Sequence, residues 1–217
     1  VMIDDPKGLY VRTPNVTPHP TGVVAAYTEA DWVRAIRHGV KPDGRPLFVM
    51  PSEDYNRLTD SDLADLVAYI RAMPPLDEPP AEIRLSLLPR LAHGAGLLRD
   101  AAEKIDHRVP PSLPVAVGVT VEHGRYVAQT CIGCHRGTFE GGPIIGAPPH
   151  WPPAADLRGD AGALRDYAPW HQFRQLLRSG TRPDGGTADN AMPRNEHMNN
   201  TDIEAMFLFL KSIDARP

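Results

Sequence analysis

Gly124-Arg125-Tyr126-Val127-Ala128-Gln129-Thr130-Cys131-Ile132-Gly133-Cys134-His135 is the stretch on which the fold turns. It reads as a short helix running into a C-x-x-C-H motif. Two thiols three residues apart lie on one side of a helical turn. Each can add to a vinyl group of one haem, while the next residue turns its imidazole toward the iron. Cys131 and Cys134 are the chain's 2 cysteines, which excludes a disulfide framework. Two other chemistries use this spacing. A structural zinc needs about four ligands, and the chain has no second C-x-x-C. A thioredoxin-like redox pair belongs in a βαβ context, and strand patterns are nearly absent here. Haem attachment is the favoured reading, with His135 as one axial ligand.

Outward from this motif, the chain contains one segment twice. Residues 31–44 and 171–185 align so that Gly39 and Gly180 stand 141 apart, each followed at the same distance by Pro-Asp-Gly. Each copy then carries a Met-Pro pair, Met50-Pro51 and Met192-Pro193, and ends in an acidic N-cap with an apolar helix pattern, over 60–73 and 201–213. Asn15-Val16-Thr17 matches Asp156-Leu157-Arg158 in the same way. Two homologous domains are the economical explanation, residues 1–75 and 118–217, joined by a Pro-rich connector over 76–117. The counterpart of Cys131, Cys134 and His135 in the first copy would fall before residue 1. The first domain is therefore read as incomplete at its N-terminal side, without its first helix, rather than as a domain that evolved without haem.

The connector holds Pro74-Pro75, Pro79-Pro80, Pro89, Pro110-Pro111 and Pro114. One helix is expected in it, over 91–105, with Leu91, Leu97, Leu98, Ala101, Ala102 and Ile105 in helical spacing. It is expected to pack between the domains, the alternative being a docking surface for a partner subunit. With 24 prolines, the chain should join short helices through long irregular connections. The expected fold class is all-α.

The second ring nitrogen of His135 should donate to a carbonyl in the loop Gly141-Gly142-Pro143-Ile144-Ile145-Gly146, whose glycines let backbone approach the macrocycle. The sixth ligand has to swing in from the far face, and Met192, 57 residues on, is the best candidate. A lone methionine is usually adaptable packing. Position decides otherwise here, because Met192 lies between Pro-Asp-Gly and the last helix and Met50 occupies the equivalent place in the other copy. Met198 is the rival ligand and His197 a weaker one. A His/Met pair raises the potential relative to bis-His. The last helix, with Ile203, Met206, Phe207 and Leu210 on one face, should cross the helix that begins near Gly124, where a missing side chain lets the backbones meet. Tyr126 can then pack against Phe209. His107, His123, His150 and His171 are read as exposed polar residues.

The net charge of −4 offers no basic excess that would attract nucleic acid. The longest apolar run, around 205–210, falls far below the roughly 20 residues that cross a bilayer. Aromatic content is 6%, leaving room in the core for a macrocycle.

Residues 119–217 resemble a class I cytochrome c domain. The whole chain is similar to the two-domain bacterial cytochromes c that accompany periplasmic alcohol, aldehyde and gluconate dehydrogenases. The resemblance is carried by residues 13–18, the Arg37-His38-Gly39 and Arg178-Ser179-Gly180 turns, both Pro-Asp-Gly triplets, both Met-Pro pairs, and Cys131, Cys134 and His135. It implies two tandem cytochrome c domains, haem c on Cys131 and Cys134, and His135 and Met192 as iron ligands. It also implies that Met50 is the distal ligand of a second haem attached upstream. The implied activity is relay of single electrons from a dehydrogenase donor to an oxidase or another cytochrome, in the periplasm or another extracytoplasmic space. The chain could then associate with a membrane complex without spanning the membrane. The alternative readings are a haem enzyme, peroxidase-like or thiosulfate-oxidising, with a displaceable distal ligand, and a gas sensor.

Overall fold

A computed structural model of the chain describes residues 3–5, 8–144, 147 and 150–214. It divides into two compact units, Val1–Ser112 and Leu113–Pro217.

In the second unit, helix α5 (Val121–Ala128) starts where the Thr120 hydroxyl accepts from the His123 amide. It passes through a 3₁₀ turn, Gln129–Cys131, into the short helix α6 (Ile132–His135). After a second 3₁₀ turn, Ala163–Asp166, come α7 (Trp170–Ser179) and the long closing helix α8 (Asn200–Ser212). The expected crossing of α5 and α8 is present. A β-carbon on Gly124 would run into the Ala205 carbonyl and lie 2.8 Å from Phe209 Cβ. Ile203, Met206 and Leu210, fully buried, carry α8 into a core shared with Phe139, Leu164, Phe173 and Leu177. The ring of Phe209 meets Phe139 edge-on, with centroids 5.6 Å apart. His123 corrects its expectation. It is only 5% exposed, and its Nε2 lies 2.8 Å from Asp202 Oδ1, tying the start of α5 to the start of α8.

The first unit contains β1 (Ile3–Asp5), β2 (Leu9–Arg12), α1 (Glu29–His38), α2 (Ser52–Tyr55), α3 (Asp60–Ala72), β3 (Glu82–Leu85), α4 (Leu87–Gly94) and a 3₁₀ turn, Ala101–Lys104. The internal repeat is visible in three dimensions. Helices α1 and α7 both end on a glycine in the left-handed region, Gly39 at φ 63° and Gly180 at φ 79°. The following turns close through equivalent bridges, Val40 to Pro46 and Thr181 to Thr187. Arg37 donates to the Leu58 carbonyl and Arg178 to the Met198 carbonyl, both at 2.8 Å. Trp32, Ile36, Leu63 and Val67 form the first core at the places of Phe173, Leu177, Ile203 and Phe207. The two closing helices differ on the face that α5 covers in the second unit. Asp65 and Tyr69 stand there in place of Ala205 and Phe209, and Tyr69 is 69% exposed.

Three expectations are corrected. The chain is mostly helical rather than all-α, because β1, β2 and β3 form a three-stranded antiparallel sheet in that order. Cross-strand pairs explain it: Arg12 faces Glu82 at 3.0 Å, and the Arg84 guanidinium lies 4.2 Å from the Tyr10 ring centroid. Each strand is too short to announce itself as a pattern. The helix expected over 91–105 is two pieces, since the chain leaves α4 at Gly94, turns through Gly96 at φ 72°, and restarts in a capping box between Asp100 and Glu103. The long closing helices are capped by Thr59 and Asn199, whose side chains accept from the amides of Asp62 and Asp202, and not by acids.

Gly124→Ala should therefore cost about 1–3 kcal/mol in chemical denaturation, because the added methyl forces α5 off α8. Gly94→Ala, where an added β-carbon meets nothing within 4 Å, should change stability by less than about 1 kcal/mol and in the stabilising direction.

Candidate functional site

Cys131 and Cys134 stand as half-buried thiols on successive turns of the α5–α6 segment. Helix α6 stops at His135 because Arg136 takes φ 65°, turning the chain away and leaving the imidazole at the helix end. His135 Nδ1 lies 2.8 Å from the Ala155 carbonyl. A carbonyl can only accept, so Nδ1 carries the hydrogen and Nε2 keeps its lone pair. Burial, which favours the neutral ring, pushes the His135 imidazole below its ordinary pKa, against an opposite pull from the Ala155 hydrogen bond.

The acceptor is thus Ala155, twenty residues along the chain from His135, and not a carbonyl of the 141–146 loop. Ile145 and Gly146 of that loop lie outside the described residues. The loop has a different task. Gly142 and Ala154 exchange both main-chain hydrogen bonds, at 2.8 and 2.9 Å, and Leu157 donates to the Phe139 carbonyl at 2.9 Å. These bonds draw 154–157 across the loop. Gly141, at φ 68°, makes the approach possible, since a β-carbon there would meet the carbonyls of both Ala154 and Ala155.

Cys131, His135 and Met192 line one cleft of about 390 Å³, whose apolar walls include Leu157, Leu164, Phe173, Leu177 and Leu210. Tyr167, Asp166, Arg182 and Asp184 add its polar lining. Arg194 holds the loop that carries Met192. Its two terminal nitrogens donate to the carbonyls of Met192 at 2.7 Å and Ala188 at 2.8 Å. Met198 packs against the core but does not line the cleft, and Arg178 holds its carbonyl. His107, His150, His171 and His197 are exposed. Neither Ala155 nor Arg194 emerges from the sequence: one acts through its main chain, and the other differs from its repeat counterpart, Ser52.

In the first unit, Met50 packs against the cluster of Trp32, Leu63 and Val67. A cleft of about 300 Å³ there is lined by Val16, Val24, Trp32, Ile70 and Arg71. The first four are the counterparts of Leu157, Leu164, Phe173 and Leu210.

Among the described residues no three His, Cys, Asp or Glu side chains gather as a metal-ion site, and no helix is long and apolar enough to cross a membrane. Cys134 does not line the cleft, but it stands three residues from Cys131, which does; a thiol, a neutral imidazole with its tautomer set by a main-chain carbonyl, and a thioether in one apolar cleft suit a flat apolar iron complex better than a bare cation.

Comparison with known proteins agrees. Residues 121–214 match the family model described as Cytochrome c. The chain is 26% identical to the fructose dehydrogenase cytochrome subunit of Gluconobacter japonicus, over 99% of this chain and 46% of that protein. It is 27% identical to the gluconate 2-dehydrogenase cytochrome c subunit of Pantoea cypripedii, over 96% of this chain and 54% of that protein. A diheme cytochrome c-type protein of Cereibacter sphaeroides is 25% identical over 93% of this chain and 71% of its own length. The chain thus spans about half the length of the first two relatives.

Gly141→Ala should cost about 1–3 kcal/mol of stability through backbone strain and displacement of the Ala155 carbonyl. It should also move the nitrogen resonances of the His135 ring, measured in the folded protein, whereas Gly137→Ala, at an open position, should leave them in place.

Proposed function

We propose that this chain, whose residues 121–214 match the Cytochrome c family model, holds haem c covalently and is an electron-transfer protein relaying single electrons from a dehydrogenase to a terminal acceptor. Cys131 and Cys134 would make the two thioether links, and His135 and Met192 would hold the iron. The bound haem supplies one reversible ferric/ferrous couple. The observation that carries the reading is the hydrogen bond from His135 Nδ1 to Ala155, which leaves Nε2 as a lone-pair donor in the cleft that Met192 also lines. The ring cannot rotate without losing that bond. Arg194 restrains the Met192 loop, so both ligands are held by backbone-anchored contacts. A donor set that does not move between oxidation states keeps reorganisation small, which is what a carrier needs. With His135 and Met192 both committed to the iron, the chain's own residues would occupy the places that substrate chemistry would need.

The repeat supports reading the chain as tandem cytochrome c domains, 1–75 and 118–217, with 76–117 as connector. The diheme relative, aligned over 93% of the chain, points the same way. Met50 takes the role of Met192 for a second haem only where an attachment motif lies N-terminal to residue 1. The electron donor is a dehydrogenase of the kind named for the relatives, and the acceptor an oxidase or another cytochrome. The location is periplasmic, because covalent attachment of haem to C-x-x-C-H is completed outside the bacterial cytoplasm.

Met192→Ala should abolish the far-red sulfur-to-iron absorption and lower the reduction potential, while Met198→Ala should leave both. The reverse pattern would move the ligand to Met198. A haem assay on the purified chain should return one covalent haem, and Cys131→Ala/Cys134→Ala none. Rapid carbon monoxide binding to the reduced, undenatured protein would count against a carrier.

A further inference from the structure

Helix α4 is built inside out. Its half-buried positions are Pro89, Ala92 and His93, at helical spacing on one face. Pro89 packs over Gly8, and His93 meets the Phe48 ring at 5.5 Å and Asp100 at 3.3 Å. The opposite face, turned to solvent, carries leucines. Leu87, Leu88 and Leu91 are 69%, 75% and 60% exposed, and Leu97, in the turn that follows, is 72% exposed. No residue of the helix is buried. Isolated exposed leucines are ordinary, but a contiguous group on one side of a helix marks a surface that covers something.

Charge identifies the occupant. Between Glu82 and Asp100 the chain has no acidic residue and three arginines, in a protein whose net charge is −4. Arg84 pairs with Glu82, while Arg90 and Arg99 are exposed beside the leucines. Residues 83–99 also contain no Phe, Tyr or Trp. Protein interfaces concentrate their binding energy in tryptophan, tyrosine and arginine and use leucine sparingly, and of these anchors the segment offers arginine alone. Leucines on one side of a helix with arginine at their edge, and no acid, instead match an interfacial membrane helix. Such a helix sinks its apolar side chains to the headgroup boundary while its cations meet anionic phosphates. We propose that α4 and the turn through Leu97 form a docking surface for an anionic lipid bilayer, holding the first unit at the membrane face without spanning it. The proposal does not depend on the haem reading.

The test is sedimentation of the purified full chain with vesicles of phosphatidylcholine alone, or with about one third phosphatidylglycerol. The wild type should pellet with the anionic vesicles, bind phosphatidylcholine about tenfold more weakly, and be released by high salt. Leu88→Ser/Leu91→Ser and, separately, Arg90→Glu/Arg99→Glu should each weaken binding about tenfold with unchanged circular dichroism and denaturation midpoint. Wild-type protein that stays in the supernatant, or a leucine variant that pellets as well, overturns the proposal. So does a wild-type dimer that the leucine variant converts to monomer, which would make this face a contact between copies.

Discussion

At Gly124 the backbone of α5 lies against the Ala205 carbonyl of α8, with no space for a β-carbon between them. Everything on the proximal side of the cleft hangs from that contact. Helix α5 leads without a break into the 3₁₀ turn and α6, so its distance from α8 sets where Cys131, Cys134 and His135 stand relative to the core floor formed by Met206 and Leu210. The buried pairing of His123 with Asp202 fixes the rotation of one helix against the other at their N-terminal ends. One side-chain pair and one missing side chain thus position the turn that carries Cys131, Cys134 and His135, and the loops that follow only have to close over it.

They do so with main-chain bonds. The Gly142–Ala154 exchange and the Leu157–Phe139 bond carry the Ala155 carbonyl to His135. On the other side Arg194 gathers the carbonyls of Ala188 and Met192 into one guanidinium. Backbone partners of this kind are strong and directional but leave little trace in residue identity.

That is the physical reason for what could and could not be read beforehand. The C-x-x-C-H motif, the repeat, the two long closing helices and the Gly124 crossing rest on side-chain type at fixed spacing, and such features are legible. The Ala155 acceptor is a property of any residue at that place, so only the glycine at 141 hinted that two strands of chain come close. His123 looked like a surface histidine because its partner, Asp202, is remote in sequence and joins it only once the helices cross. The small sheet escaped because its strands have three or four residues each and are joined by pairs, Arg12–Glu82 and Tyr10–Arg84, that are also remote in sequence. Within α3, Asp65 and Tyr69 stand where α8 has Ala205 and Phe209, so the two units share a scaffold while carrying different residues on the face that α5 covers in the second.

An amide oxygen as the partner of His135 has a bearing on how the protein can change over time. A carboxylate or amide side chain in that place could be lost by a single base change, and a carboxylate could also take up a proton in acid. The carbonyl of residue 155 survives every substitution there that leaves the main-chain path intact, and it does not titrate. The partner of the imidazole is therefore insulated both from drift at its own position and from acidity, while the vulnerability is transferred to Gly141, a residue that touches the ring nowhere and acts only by letting the main chain pass.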